Sequence, residues 1–64
     1  MFINGEKFEF TGEITISDLL KTHGFDCTRV AVERGGVIVR KGEFDSTKVV
    51  DGDKLEIVTF VGGG

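Results

Sequence analysis

Apolar and polar positions alternate in a way that divides the chain into short strands around one helix. Met1-Phe2-Ile3 is apolar, Asn4-Gly5 is a favoured two-residue turn, and Lys7-Phe8-Glu9-Phe10 alternates. This predicts an N-terminal antiparallel hairpin with Phe8 and Phe10 on one face. Residues 14–24 carry helix signals. Thr15 and Asp18 stand in a T-x-x-D spacing close to a capping box, and Ile14 and Leu19 occupy the positions of a hydrophobic staple. Ile16, Leu19 and Leu20 then share one face, Lys21 and His23 fall in the last turn, and Gly24 suits a left-handed stop. Val30-Ala31-Val32-Glu33 reads as a strand, Arg34-Gly35-Gly36 as a turn, and Val37-Ile38-Val39 as the returning strand. Residues 41–48 are polar and mixed, with Phe44 as a single apolar anchor. Val49-Val50 precede the tight turn Asp51-Gly52-Asp53. The stretch from Lys54 to Val61 is the longest strand candidate, and Gly62-Gly63-Gly64 follow it.

The predicted order is ββαβββ, or close to it. It points to an α+β fold, a mixed sheet of four to five strands curled over one helix. The domain spans residues 1–61, with 62–64 as a flexible glycine tail. Alternation also selects the core. Leu55 and Ile57 point one way along the last strand, and Glu56, Val58 and Phe60 the other. Burying Leu55 and Ile57 leaves Glu56 in water. In the same way Val30 and Val32 face inward, while Ala31 and Glu33 face outward. If these two strands are neighbours, Ala31, Val58 and Phe60 form an exposed apolar patch, a common mark of a protein interface.

Composition narrows the functional classes. With 64 residues the chain folds as one domain of about 4,000 Å² surface, burying about 60% of its unfolded surface. A deep walled pocket would consume that core, which argues against a self-contained enzyme. Hydrophobic residues at 39% and charged residues at 30% suit a globular domain and are too apolar for disorder. A net charge of −3 disfavours nucleic acid as a partner. No apolar run approaches a membrane span and no signal peptide is visible, so the expected location is the cytoplasm, with no membrane partner. One cysteine and one histidine are too few for a zinc or iron–sulfur site.

The remaining candidates for side-chain chemistry are thin. His23 and Cys27 are close in sequence, but a catalytic pair needs a third orienting group and a pocket. Asp51-Gly52-Asp53 lacks the carboxylate spacing of a calcium loop, and Lys54 adds the wrong charge. Gly35-Gly36 lacks the context of a phosphate loop and reads as a hairpin turn. No catalytic or metal-binding residue is assigned.

The C-terminus is the exception. Three glycines cannot pack a core, but they make a thin, extendable thread. From Val61 to Gly64 the chain can reach about 13 Å past the last strand residue. It delivers an unhindered carboxylate, which is inert until adenylated. Nothing in the chain can adenylate it, so the chemistry falls to a partner enzyme.

Taken in order, several segments carry a resemblance that none carries singly. They are Ile3-Asn4-Gly5-Glu6, Thr15-Ile16-Ser17-Asp18-Leu19-Leu20, Arg29-Val30-Ala31-Val32-Glu33, Asp51-Gly52-Asp53-Lys54-Leu55-Glu56-Ile57-Val58 and Phe60-Val61-Gly62-Gly63-Gly64. Over essentially its full length the chain resembles the ThiS family, the sulfur carriers of thiamine biosynthesis, with their ubiquitin-like β-grasp fold. Phe60-Val61 before the glycines looks more like this family than like the small subunit of molybdopterin synthase. The chain departs from the family at Gly35-Gly36, where an Asn-Gly turn is common, and at Val39-Arg40-Lys41, where a proline is common.

The resemblance implies a mechanism. A ThiF-like adenylyltransferase would use ATP and magnesium, neither held by this chain, to adenylate the Gly64 carboxylate. Sulfur from a donor protein would replace AMP to give a thiocarboxylate, and a ThiG-like thiazole synthase would take that sulfur. Gly62 and Gly63 would line the access channel. Ala31, Glu56, Val58, Phe60 and Val61 would bind the partner, with Glu56 meeting a basic surface. The chain would then be a protein co-substrate, not an enzyme. The alternatives are a sulfur carrier for molybdopterin or amino-acid thiolation, a lysine-attached modifier, and a β-grasp binding module with an incidental tail.

Overall fold

The computed structural model describes residues 1–9 and 11–60. The chain begins with β1 (Phe2–Ile3) and β2 (Glu6–Lys7), joined by Asn4-Gly5. Both turn residues have positive φ, 51° and 82°, as the type I′ hairpin requires, and the register pairs Ile3 with Glu6 across the turn. The predicted hairpin is present. Phe8 packs against the core, and the expected partner on its face, Phe10, lies outside the described residues.

Next come β3 (Glu13–Thr15) and α1 (Ile16–Thr22). Thr15 caps the helix, accepting a hydrogen bond from the Asp18 N–H at 3.2 Å. At the other end Gly24, with φ 78°, adopts the left-handed conformation that a side chain would resist. The Gly24 N–H donates to the Lys21 carbonyl and the Phe25 N–H to the Leu20 carbonyl, the two bonds of a Schellman stop. The helix thus lies between the predicted Thr15 cap and the predicted Gly24 stop, and the flanking Ile14 and Thr15 belong to β3.

The second half comprises β4 (Val30–Arg34), β5 (Val37–Val39), a 3₁₀ turn (Lys41–Glu43), β6 (Lys48–Val50) and β7 (Lys54–Thr59). Five strands form one sheet in the order β2-β1-β7-β4-β5. β1 runs parallel to β7, and the other neighbours are antiparallel, so the sheet is mixed as predicted. The central position of β7 rests partly on Asn4. Its side-chain amide accepts from the Ile57 N–H at 2.7 Å and donates to the Ile57 carbonyl at 3.0 Å. A side chain thus continues the ladder where the β1 backbone turns away.

Two features depart from the predicted order. β3 and β6 form a separate two-stranded antiparallel sheet, with Ile14 opposite Val49. The mixed segment 41–48 serves as a cap on α1. The Ile16 N–H donates to the Thr47 carbonyl at 2.9 Å and the Ser17 N–H to the Phe44 carbonyl at 3.0 Å. The Ser17 hydroxyl donates to the Asp45 carboxylate. With the Thr15 cap, three of the four unpaired N–H groups at the start of the helix are satisfied.

The core lies between α1 and the concave face of the sheet. Ile16, Leu19 and Leu20 from the helix meet Val30, Val32, Leu55 and Ile57 from the sheet, closed by Met1, Ile3, Phe44 and Val49. No helix among the described residues is long and apolar enough to cross a membrane.

Candidate functional site

The convex face of the sheet carries the candidate site. Val32 pairs with Ile57 on the buried face, so the alternating pairs Ala31–Val58 and Glu33–Glu56 lie on the opposite face. The strand adjacency on which the predicted patch depended is therefore present. Val58 is 57% exposed and Phe60 is 55% exposed, whereas Leu55 and Ile57 on the same strand are buried. The hydrogen bond from the Phe60 N–H to the Arg29 carbonyl, 2.7 Å, holds the end of β7 against β4. Val61, Gly62, Gly63 and Gly64, which carry the rest of the predicted site, lie outside the described residues.

The structure adds two residues to the patch. Ile38 on β5 lies opposite Glu33 and is 68% exposed. Glu33 is half-buried and faces Glu56 directly. Both were within reach of the sequence. Gly35-Gly36 form a two-residue turn that pairs Arg34 with Val37, and counting back from it sets Ile38 against Glu33. Two concavities border the sheet. A groove of about 240 Å³ lies beside β1 and β7, lined by Phe2, Gly5, Lys54, Leu55 and Glu56. A larger one, about 660 Å³, runs along the β5 edge past Arg34, Val37, Ile38, Val39 and Asp53; it touches the patch at Ile38 but includes none of Ala31, Val58 or Phe60.

The alternative chemistries gain no geometry. His23 packs edge-on against Phe8, ring centroids 4.8 Å apart, and Cys27 packs half-buried against the core. Neither forms a hydrogen bond with the other among the described residues. The two aspartates of the Asp51–Asp53 turn serve structure. Asp53 accepts from the Val50 N–H and from Arg34, and Asp51 accepts from the N-terminal ammonium at 2.8 Å. That ammonium holds the Asp51 carboxyl below its ordinary range, first through the hydrogen bond and then through its charge. No group of three or more His, Cys, Asp or Glu among the described residues could hold a metal ion.

A family model described as the ThiS family matches residues 1–64. The chain belongs to the ThiS family. Its similarity to individual proteins runs over the same length. It is 48% identical over 64 residues to a thiazole synthase of Paramagnetospirillum magneticum, covering all of this chain but only 20% of that protein. The chain thus spans about a fifth of that relative's length. It is 36% identical over 63 residues to the sulfur carrier protein ThiS of Bacillus subtilis, covering 97% of this chain and 96% of that one. In structure it matches a thiamine biosynthesis protein (ThiS) from Geobacter metallireducens with a TM-score of 0.81 and 30% identity, over 98% of this chain and 96% of that chain. Five strands and one helix in this arrangement are the ubiquitin-like β-grasp that the sequence predicted. Relative to that ThiS frame, the convex patch lies on the face away from the helix, beside the strand that leads into the glycines.

Proposed function

We propose that this chain is a sulfur carrier of thiamine biosynthesis, with residues 1–61 as the recognition domain and glycines 62–64 as the thread. In this reading the Gly64 carboxylate attacks the α-phosphate of magnesium-bound ATP in a ThiF-like adenylyltransferase, releasing pyrophosphate. The acyl adenylate is an electrophile. Sulfur at the sulfide level, delivered by a sulfur donor protein, displaces AMP and leaves a thiocarboxylate on Gly64. A thiazole synthase then takes that sulfur. The chain is a co-substrate and holds no cofactor of its own. The cytoplasm is the proposed place of work, and neither nucleic acid nor membrane is a proposed partner.

The observation that carries this reading is the match to the ThiS family over residues 1–64, closing glycines included. The structure supplies a physical rationale for recognition. An apolar convex face on β4 and β7 stands next to the start of the tail, so a partner seated there receives the last residues within their reach of about 13 Å. The thiazole synthase partner draws support from the Paramagnetospirillum relative, in which a segment like this chain belongs to the same polypeptide as a thiazole synthase.

The test is mass spectrometry of the peptide Leu55 to Gly64, after incubation with ATP, magnesium, a sulfide source and an adenylyltransferase. This peptide contains neither Met1 nor Cys27, whose oxidation resembles a sulfur-for-oxygen exchange. The expected result is that exchange on the peptide. An unmodified peptide, with the enzyme active on its own carrier, overturns the reading in favour of another carrier system or a binding module. Branched peptides bearing glycine remnants on lysines of other proteins would instead establish a modifier.

A further inference from the structure

One edge of the five-stranded sheet is guarded against pairing and the other is not. β2, at the first edge, consists of Glu6 and Lys7, both exposed and charged, and charge on an edge discourages a foreign strand. β5, at the opposite edge, consists of Val37, Ile38 and Val39 and carries no charge. Val37 and Ile38 are both more than two-thirds exposed. The backbone of this edge is free as well. The Phe60 N–H donates to the Arg29 carbonyl and the Gly35 N–H to the Lys54 carbonyl, so the odd-numbered positions along β4 direct their bonds to β7. The even-numbered residues Val32 and Arg34 therefore bond to Val39 and Val37 of β5. Ile38, opposite Glu33, keeps an N–H and a carbonyl that point out of the sheet. Such groups fit an extended strand as their occupant.

A second copy of the chain supplies a strand that matches. When Ile38 faces Ile38 of the second copy in antiparallel pairing, Val37 faces Val39 and Gly36 faces Arg40, and the reverse holds by symmetry. Apolar side chains then meet apolar ones. Arg40, whose backbone is extended at φ −72° and ψ 146°, lies over a glycine that offers neither bulk nor like charge. Parallel pairing in the same register would instead set Arg40 against Arg40. We propose that β5 is a self-pairing edge, at which two copies meet antiparallel about Ile38 and join their sheets into one. The two Ile38 residues exchange both backbone bonds, and the twofold closes the assembly at a dimer. Only a few residues a side are buried, short of the roughly 1,000 Å² that a stable complex needs. The dissociation constant is therefore on the order of 0.1–1 mM. β7 lies two strands from β5, so pairing leaves it uncovered, and the inference does not depend on the carrier reading.

Sedimentation of the full chain between about 0.01 and about 2 mM tests it. The average mass should rise from monomer towards dimer. Added salt should strengthen the association, because each copy carries a net charge of −3 and the two repel. Ile38→Lys sets two ammonium groups face to face and should remain monomeric throughout, with a melting temperature close to the parent's because the side chain is exposed. Register is read by crosslinking in a Cys27→Ser background. Under a mild oxidant, Val37→Cys mixed with Val39→Cys should give a disulfide-linked pair, while either variant alone should not, because like positions stand beyond disulfide reach. A parent that stays monomeric at the highest concentration overturns the proposal, as does an Ile38→Lys chain that associates as the parent does. Crosslinking of Val37→Cys with itself as readily as with Val39→Cys overturns the register and with it the twofold at Ile38. A monomeric parent whose β5 amides become protected from hydrogen exchange only when an adenylyltransferase is added overturns it in favour of a foreign strand.

Discussion

The two faces of β4 and β7 are built from adjacent residues of the same strands, yet they answer to different demands. On the concave side Val30, Val32, Leu55 and Ile57 are at most 5% exposed and pack against α1. On the convex side Ala31, Val58 and Phe60 are apolar too, but nothing in the described chain covers Val58 or Phe60. Hydrophobicity alone therefore does not separate the buried face from the exposed one in this protein. The distinction comes from the pleat, which sends alternate residues to opposite faces, and from the single helix, which can cover only one of them. Folding buries the first set and leaves Val58 and Phe60 exposed among the described residues.

The comparison can be broken most directly on the concave side. Leu55→Ala removes a side chain that is 1% exposed, and it should cost about 2–5 kcal/mol of stability, read by urea denaturation. A loss as small as that of a surface substitution would mean the concave face is not the core. On the convex side Phe60→Asp or Val58→Asp should leave the urea midpoint nearly unchanged while weakening adenylyltransferase binding about tenfold or more. Equal binding by these variants would detach the patch from the function. Deleting Gly64 should abolish thiocarboxylate formation without unfolding the domain, which separates the chemistry of the tail from both faces.

Smaller effects sharpen how the sheet is held. Asn4→Ala removes both bonds to the Ile57 backbone and should cost about 1–3 kcal/mol, because the Ile57 N–H and carbonyl lose their partner. Thr15→Ala removes the N-cap and should cost about 1 kcal/mol. The smallest effect concerns pH. Asp51 is ionised more readily in the fold than in the unfolded chain, because it accepts from the N-terminal ammonium. Its contribution is therefore complete above the ordinary carboxylate pKa and is lost as pH falls through its lower folded value. Asp51→Asn should flatten that part of the acid limb of the stability profile, measured by thermal melting below about pH 4. An unchanged acid limb would show that the ammonium contact contributes nothing.

Much of the candidate site was legible because it depends on local rules. Two-residue periodicity separated Leu55 and Ile57 from Val58 and Phe60, and the same rule sorted Val30 and Val32 from Ala31. Glu33 was sorted outward by the same alternation, yet its pairing with Glu56 depends on the register between strands about 20 residues apart, which no local pattern specifies. The Asn4-Gly5 turn was legible as a turn. Its second task, bonding to Ile57, was not, since that bond joins residues 53 apart in sequence.

The sequence by itself determined the elements whose causes lie within a few residues: the type I′ hairpin, the Thr15 cap, the Gly24 stop, and the alternation that assigns each strand residue to a face. Tertiary structure alone decided what depends on distant partners. It set β1 parallel to β7, so the first strand supports the one that leads into the tail. It paired Ile14 with Val49, and it turned the polar, mixed segment 41–48, anchored by Phe44, into a cap for the helix start through the carbonyls of Phe44 and Thr47. The physical reason is the same in each case. A backbone N–H or carbonyl must find a partner once it leaves water, and its chemistry does not specify which distant residue supplies that partner.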